Sequence, residues 1–362
     1  MPEAVVLSVF SFYALLVIAA VAGLMRRHES GSTDPIFVSV IVPARNEEGN
    51  IGACIESLLS QKYPVYLFEI IIVNDGSEDR TKQIVSEYQK IDSRIIVTDS
   101  RNDIALPPGK SCALESGIRL AKGDIILNTD ADCIVPEDWI SSLVSYYHNR
   151  VSMVNGVTLP EGRGWLSGVQ TLDFAFLHGV AAGFSGIRVP LAGMGNNMSY
   201  KKDSYLKTGG FEKLGFSVTE DFQLTRAFLQ QGEKVVHIAS EGTSVRTLPV
   251  NDFGGLFSQK KRWAAGGLKS PPVFYLLFFA AWLASAGLFI APFMLQGYCL
   301  LLPLLKFLAD FLLLHNLLHK VKMRGVLRYF LPFELYLSVY VIIFPLILPF
   351  SKGITWKGRY FR

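Results

Sequence analysis

Two aspartates stand close together at the end of a short apolar segment, in GDIILNTDADC at positions 123–133. Residues 125–127 have the apolar character of a buried strand, and Asp130 and Asp132 follow that strand almost at once. Two carboxylates this close repel each other unless a positive group lies between them. Mg²⁺ and Mn²⁺ bind through one or two carboxylates together with substrate phosphates. The spacing therefore predicts a divalent metal site, with a simple aspartate-capped turn as the alternative.

The elements that must position these aspartates alternate along the middle of the chain. Continuous apolar segments typical of buried strands are predicted at 38–42, 68–73, 94–98 and 124–128. Segments with helical periodicity lie between them, at 47–59, 79–89 and 110–121. This alternation predicts a parallel α/β sheet covered by helices on both faces.

Polar, acid-bearing turns follow three of these strands. They read PARNE at 43–47, NDGSEDRT at 74–81 and TDADC at 129–133. Ligands of such sheets bind beyond the carboxyl ends of the strands, so the three turns predict a site at one edge. No G-x-G-x-x-G follows the first strand, which argues against a dinucleotide fold. Lys110 begins a predicted helix and is well placed to meet a phosphate.

Apolar segments long enough to cross a bilayer lie at both ends of the chain, at 4–24, 273–294, 298–318 and 330–350. Arg26 and Arg27 follow the first, which favours an uncleaved anchor and a cytoplasmic domain after it. The basic tail is also expected in the cytoplasm, because prolines favour a broken or re-entrant last segment. Lys306 and Asp310 share a helix face within the third segment and are expected to pair. The net charge of +4 is too small to indicate nucleic acid as a partner.

These features predict an anchor at 1–27, a catalytic domain at 28–250 and an interfacial segment at 251–271. A membrane region at 272–352 and a basic tail at 353–362 complete the expected organisation. Four cysteines without metal-like spacing fit a reduced, cytoplasmic domain.

Several separated motifs resemble those of the family 2 glycosyltransferases, which have a GT-A fold. The resemblance covers roughly residues 37–265, and the motifs occur in the family's order. They are SVIVPARNEE, EIIIVNDGSEDRT, GKSCALESGI, NTDADC, GMGNNMSYKK, TEDFQLTRAF and QKKRW. The chain's layout is also similar to that of bacterial carotenoid glycosyltransferases and ceramide glucosyltransferases. The resemblance implies an α/β GT-A domain, a Rossmann-like nucleotide-diphospho-sugar transferase fold, with transmembrane helices at both ends of the chain.

The resemblance also implies roles for individual residues. Asp221 would be the general base, with Glu220 beside it, and Asp132 would contact Mg²⁺ or Mn²⁺. The residues expected to bind the nucleotide sugar, taken as a UDP-sugar, are Pro43, Arg45, Glu47, Asp75, Lys110 and Asp130. The residues expected near the diphosphate and acceptor are Gly195, Asn196, Gln259, Arg262 and Trp263. Family members often carry asparagine where this chain has Glu115.

The expected reaction is inverting transfer of a hexose, most simply glucose, to a membrane lipid such as a carotenoid or sphingolipid. Few membrane segments are available to build a polymer channel, which favours a lipid over the alternative of a processive polysaccharide synthase. The segment 165–184 is expected either to lie at the membrane interface and guide the lipid or to be a buried core helix. A non-catalytic scaffold predicts loss of the acids, but Asp75, Asp130, Asp132 and Asp221 are all present. The expected location is the bacterial inner membrane, with the catalytic domain in the cytoplasm.

Overall fold

A computed structural model describes residues 2–31, 36–101, 103–148, 150–191, 193–267, 272–294, 296–347, 354–356 and 359–361. The strands are β1 (Val38–Ala44), β2 (Phe68–Asn74), β3 (Ile95–Asp99), β4 (Ile125–Thr129), β5 (Val151–Asn155), β6 (Val157–Pro160), β7 (Asn197–Lys201), β8 (Lys234–His237), β9 (Ser244–Thr247), β10 (Ile354–Trp356) and β11 (Arg359–Phe361). The helices are α1 (Pro2–Met25), α2 (Ile51–Leu59), α3 (Thr81–Ile91), α4 (Lys110–Leu120), α5 (Trp139–Val144), α6 (Trp165–Gly186), α7 (Lys202–Thr208), α8 (Gly210–Leu214), α9 (Glu220–Gln230), α10 (Phe253–Gly267), α11 (Pro272–Met294), α12 (Pro303–Lys320) and α13 (Phe330–Ile347).

These elements form two compact units. One, the sheet unit, comprises His28–Leu159 and Ala192–Leu248. The other, the helical unit, comprises Met1–Arg27, Pro160–Leu191 and Pro249–Arg362. The segment Pro160–Leu191 therefore groups with the chain ends, although the sequence assigned it to the catalytic domain at 28–250. The domain boundaries themselves stay a prediction.

The sheet unit is built on seven strands in the order β3-β2-β1-β4-β7-β5-β8. Strands β3, β2, β1 and β4 are parallel, as predicted, and each observed strand agrees with its predicted bounds within two residues. Strand β7 pairs antiparallel with both β4 and β5, so the sheet is mixed and not wholly parallel. A sequence pattern of apolar runs does not reveal strand direction, which explains the difference. The α/β architecture itself is confirmed.

This topology decides what meets at the site-bearing edge of the sheet. Because β7 runs antiparallel to both neighbours, β5 runs in the same direction as β4. Strand β8 pairs parallel with β5. The carboxyl ends of β1, β2, β4, β5 and β8 therefore share one edge with the amino end of β7. Apolar side chains cover the sheet on both faces, for example Val40 and Leu127 on one and Ile41 and Ile126 on the other. The edge is thereby held on a packed scaffold.

In the helical unit, α1 and α6 approach each other at backbone contact. A Cβ added to Gly183 would lie 2.2 Å from the carbonyl oxygen of Ala20, and one added to Gly23 would lie 1.9 Å from that of Gly183. Small residues at a helix crossing permit this approach, as they do between helices in membranes. Most of α6 is buried, which agrees with the core-helix alternative for 165–184.

By length and composition, three helices among the described residues could cross a membrane: Glu3–Met25, Pro272–Phe293 and Arg324–Ile347. The expected span at 298–318 is not among them, because α12 carries Lys306, Asp310 and Lys320. The predicted pair forms, with Lys306 Nζ 2.8 Å from Asp310 Oδ2, and Glu334 Oε2 lies 2.6 Å from the same ammonium. Residues 268–271, 348–353, 357–358 and 362, which belong to the predicted interfacial, membrane and tail segments, lie outside the described residues.

Candidate active site

The turn after β1 is tied to the turn after β2 by an arginine. Arg45 Nη1 donates to the carbonyl oxygens of Asp75 and Gly76, at 2.8 Å each. The Asp75 amide donates to the carbonyl of Ala44 at 2.8 Å, at the end of β1. The guanidinium is thus held by backbone groups of the neighbouring turn. The fold brings these residues to one edge, as the sequence predicted, and the arginine fixes the shape of that edge.

Two other predicted donor-binding residues lie in the same region. Glu47 is buried, its amide donates to Thr81 Oγ1 at 2.7 Å, and its Oε2 accepts from Asn50 at 2.8 Å. Pro43 is half-buried near the end of β1. Both belong to the rim that surrounds the carboxyl ends of the strands.

Lys110 lies at the centre of the acidic part of this edge. Its Nζ is 2.5 Å from Asp130 Oδ1 and 3.3 Å from Glu220 Oε1, so it joins the start of α4 to the turn after β4 and to α9. The lysine side chain is 13% exposed and that of Glu220 is 7% exposed. Burial alone would lower the pKa of Lys110, but the negative charges of Asp130 and Glu220 outweigh it and raise the pKa above its ordinary value. The ammonium is therefore charged at neutral pH and compensates the surrounding carboxylates.

The acids of the TED motif begin α9. Glu220 and Asp221 occupy its first turn, where the partial positive charge of the helix end stabilises carboxylates. Asp221 Oδ2 accepts the amide proton of Gly195 at 2.8 Å, and Oδ1 accepts that of Phe222 at 2.7 Å. Thr219 stands at the N-cap position but forms no capping side-chain bond. A carboxylate oxygen has more than one lone pair, so Asp221 can still accept a hydroxyl proton.

The loop of residues 193–196, which we call the glycine loop, lies next to these acids. A Cβ added to Gly195 would be 3.1 Å from Asp221 Cβ and 3.2 Å from Glu220 Oε1, so a side chain there would crowd the acids. Asn196 Oδ1 accepts from Thr158 Oγ1 at 3.0 Å. The structure thus brings Gly195 to the predicted base.

The predicted metal ligand Asp132 is half-buried, and the Cys133 thiol donates to its Oδ1 at 3.7 Å. Burial raises the pKa of Cys133 and Cys54 well above the ordinary value, so both thiols are neutral and supply no thiolate ligand. Among the residues that the structure describes, no three His, Cys, Asp or Glu side chains are arranged to hold a metal. Asp132, with Asp130 close by, carries carboxylate oxygens of the kind that bind Mg²⁺ or Mn²⁺, and substrate phosphates and water would complete the shell of such an ion. The donor set fits an ion that arrives with a nucleotide.

Glu115, where the chain departs from the family pattern, has a structural explanation. Its Oε2 accepts from the Tyr205 hydroxyl and from the Phe211 amide, the latter at 3.1 Å. Arg119 donates to Oε1 at 3.3 Å. The buried carboxylate therefore ties α4 to α7 and α8, within the sheet unit.

The three QxxRW residues lie on α10, in the helical unit. Their neighbour Lys260 is buried, forms an ion pair with Asp173 and lies over the Trp263 ring at 4.6 Å. Trp263 also packs edge-on against Phe174, with ring centroids 5.0 Å apart. Sequence reasoning did not single out Lys260 or Asp173. The roles of Gln259, Arg262 and Trp263 in transfer remain predictions.

Family models match this chain over most of its length. The model for glycosyl transferase family group 2 matches residues 125–351, and that for glycosyl transferase family 2 matches residues 39–203. The chain therefore belongs to the family 2 glycosyltransferases, and the predicted membership is confirmed.

Named relatives and a solved structure agree with this class. The chain is 27% identical to the beta-monoglucosyldiacylglycerol synthase of Trichormus variabilis over 72% of its length and 54% of the relative's. It is 26% identical to the poly-beta-1,6-N-acetyl-D-glucosamine synthase of Staphylococcus epidermidis, over 64% of its length and 54% of the relative's. The chain thus spans about half the length of these curated relatives.

The fold is similar to that of the mannosyltransferase PcManGT from Pyrobaculum calidifontis, solved in complex with GDP-Man and Mn²⁺. The TM-score is 0.60 at 18% identity, over 93% of this chain and 99% of that one. This likeness confirms the predicted GT-A fold.

Proposed function

We propose that this protein transfers a hexose from a UDP-sugar, most simply glucose, to a membrane lipid, with inversion at the anomeric carbon. The observation that carries the proposal is the cluster at the sheet edge. One lysine, Lys110, is shared by Asp130 and Glu220, and Asp221 lies beside them. A cationic side chain among acids at the carboxyl ends of parallel strands suits a nucleotide diphosphate with its divalent ion.

In the proposed reaction, Asp221 accepts the proton of the acceptor hydroxyl as that oxygen attacks the anomeric carbon. The bond from this carbon to the diphosphate oxygen breaks on the opposite face, and the nucleoside diphosphate leaves. Lys110 places a positive charge where the leaving group develops negative charge. Asp132, with Asp130 near the nucleoside, would hold the Mg²⁺ or Mn²⁺ that neutralises the diphosphate.

A membrane lipid is the acceptor class favoured by two observations. Within the part of the chain that the structure describes, three helices are long and apolar enough to cross a membrane. One relative is named for the synthesis of a glucosyl lipid. A second candidate, a processive polysaccharide synthase, has the support of the relative named for poly-beta-1,6-N-acetyl-D-glucosamine synthesis. The basic residues after α1, Arg26 and Arg27, support a sheet unit in the cytoplasm, and the two relatives support a bacterial membrane because both come from bacteria.

The test uses membranes that contain the full chain, labelled UDP-glucose and Mn²⁺, followed by separation of organic extract, aqueous phase and insoluble polymer. Label in the organic phase is the expected result, and label in polymer would support the processive candidate. Parallel reactions with other UDP-sugars and with GDP-mannose test the choice of donor. No transfer from any donor would contradict the proposal.

The base is tested by Asp221→Asn, with Asp203→Asn as a matched control, because both aspartates lie in the first turn of a helix. We expect Asp221→Asn to lower kcat by roughly 10²-fold or more while nucleotide binding persists. The control should keep the wild-type rate, and turnover retained by Asp221→Asn would refute the base assignment.

The metal ligand is tested by Asp132→Ala. The variant should lose the part of UDP affinity that depends on Mn²⁺. UDP affinity is measured with and without Mn²⁺ for the wild type and for the variant. If Mn²⁺ changes the affinity of neither protein, a metal at this aspartate is refuted.

A further inference from the structure

A buried asparagine at the end of β5 has no side-chain hydrogen-bond partner in the part of the chain that the structure describes. Asn155 is fully buried, and neither its Nδ2 nor its Oδ1 has a partner among the described residues. Asn197, at the start of the neighbouring β7, is equally buried, but its side chain is hydrogen-bonded, as is usual for a buried amide. It accepts from Trp139 Nε1 at 2.9 Å and donates to two backbone carbonyls, at 2.8 and 2.9 Å. Buried amides without partners are rare, because each lost bond leaves a desolvation penalty uncompensated.

The glycine loop lies directly against this amide. A Cβ added to Gly193 would be 3.0 Å from Asn155 Oδ1, 2.5 Å from Met198 Cε and 2.3 Å from Thr225 Oγ1. Only backbone therefore fits at this position. The same loop supplies the Gly195 amide that donates to Asp221 Oδ2 at 2.8 Å. One short segment thus touches an unpaired amide at one end and the predicted base at the other.

We propose that Asn155 is a positioning residue that holds the glycine loop in a second, donor-bound arrangement. In that arrangement the loop backbone pairs with the Asn155 amide, and the Gly195 amide leaves Asp221. Oδ2 of Asp221 then no longer shares its lone pairs with the Gly195 amide when the acceptor hydroxyl approaches. The inference rests on the proposed function, because it assumes that a nucleotide sugar favours the second arrangement. A shift toward that state requires the ligand to bind it more tightly than the present one.

Two properties separate this role from a purely structural one. A structural asparagine loses stability when it is removed, as Asn197 should. An asparagine whose side chain has no partner among the described residues should not, because its removal eliminates an uncompensated polar group. Removal of the Asn155 side chain should instead lower kcat.

The experiment compares Asn155→Ala with Asn197→Ala by thermal unfolding without ligand and by kcat and KM for UDP-glucose with Mn²⁺. We expect Asn155→Ala to unfold at or above the wild-type Tm and to lose about tenfold in kcat, the worth of one hydrogen bond. Asn197→Ala should unfold roughly 6 °C or more below wild type. The substitution leaves the Trp139 indole N–H and two backbone carbonyls without the hydrogen bonds that Asn197 makes to them. Asn155→Val is the second variant, since its larger side chain leaves less of a cavity.

The proposal is overturned if both Asn155 variants unfold as early as Asn197→Ala, or if their kcat stays within twofold of wild type. In those cases wild-type transfer persists and the proposed function stands. If the wild-type chain neither binds nor uses any nucleotide sugar, the proposed function fails and the loop mechanism fails with it.

Discussion

Replacing Lys110 with methionine would remove the cation shared by the acids of the sheet edge. The methionine keeps most of the aliphatic volume but leaves Asp130 and Glu220 without the ammonium that lies 2.5 and 3.3 Å from them. Their mutual repulsion, and that of Asp221, would no longer be compensated. The variant should therefore be less stable than the wild type, apart from any loss of activity.

The size of the effect follows from burial. Removing one partner of a buried ion pair costs about 3–5 kcal/mol, because the remaining charge is uncompensated. Glu220 is buried, but Asp130 is 32% exposed and water screens it in part. We therefore expect a loss of about 3 kcal/mol, toward the lower end of that range. For a domain of 150–250 residues this corresponds to a fall in Tm of roughly 6–12 °C.

Thermal unfolding of the full chain without nucleotide is the assay, with Lys82→Met as the matched control. Lys82 also pairs with an aspartate, Asp99, at 2.7 Å, but both side chains are more than half exposed. Such surface pairs contribute about 0–1 kcal/mol, so the control should unfold close to wild type. Mn²⁺ should reduce the deficit of Lys110→Met if the ion binds these carboxylates.

The pH dependence gives an independent check. Because the folded-state pKa of Lys110 is raised, its contribution is complete below the unfolded pKa of about 10.4 and is lost only at higher pH. The difference between wild type and Lys110→Met should stay constant from about pH 6 to pH 9. A Tm for Lys110→Met equal to that of Lys82→Met, or a deficit that disappears within this range, would refute the electrostatic account.

Three further predictions concern stability elsewhere. Glu115→Ala leaves the Tyr205 hydroxyl without its carboxylate acceptor, whereas the Phe211 amide keeps the Tyr205 oxygen at 2.8 Å. We expect a loss of about 1–3 kcal/mol in chemical unfolding, and a loss below 0.5 kcal/mol would contradict the packing of α4. Gly183→Ala places a methyl 2.2 Å from a carbonyl of α1, whereas Gly325→Ala meets nothing within 4 Å; detergent-solubilised Gly183→Ala should unfold earlier than Gly325→Ala, and equal Tm values would argue against the helix crossing. Lys306→Met leaves two buried carboxylates together and should cost about 3–5 kcal/mol, seen as a lower Tm in detergent; an unchanged Tm would mean that the carboxylates are compensated in another way.

The sequence by itself determined the local features of the protein. Strands β1 to β4 were predictable because runs of apolar residues and polar turns are local patterns, and the polar turns then mark the carboxyl ends of the strands. The pairing of Lys306 with Asp310 followed in the same way, because residues four positions apart share a helix face. Family membership followed from motifs that need only their order along the chain.

The tertiary structure decided which of these features meet. Lys110 and Glu220 are 110 positions apart, and they touch because the α9 and α4 termini reach the same sheet edge. Glu115, where family members often carry asparagine, accepts a hydrogen bond from Tyr205. No spacing rule along the chain predicts that contact. Asn155, which has no side-chain partner among the described residues, meets the glycine loop at Gly193, 38 positions further along the chain. Each outcome depends on packing between segments far apart in the chain. The periodicity of a local segment contains no information about that packing.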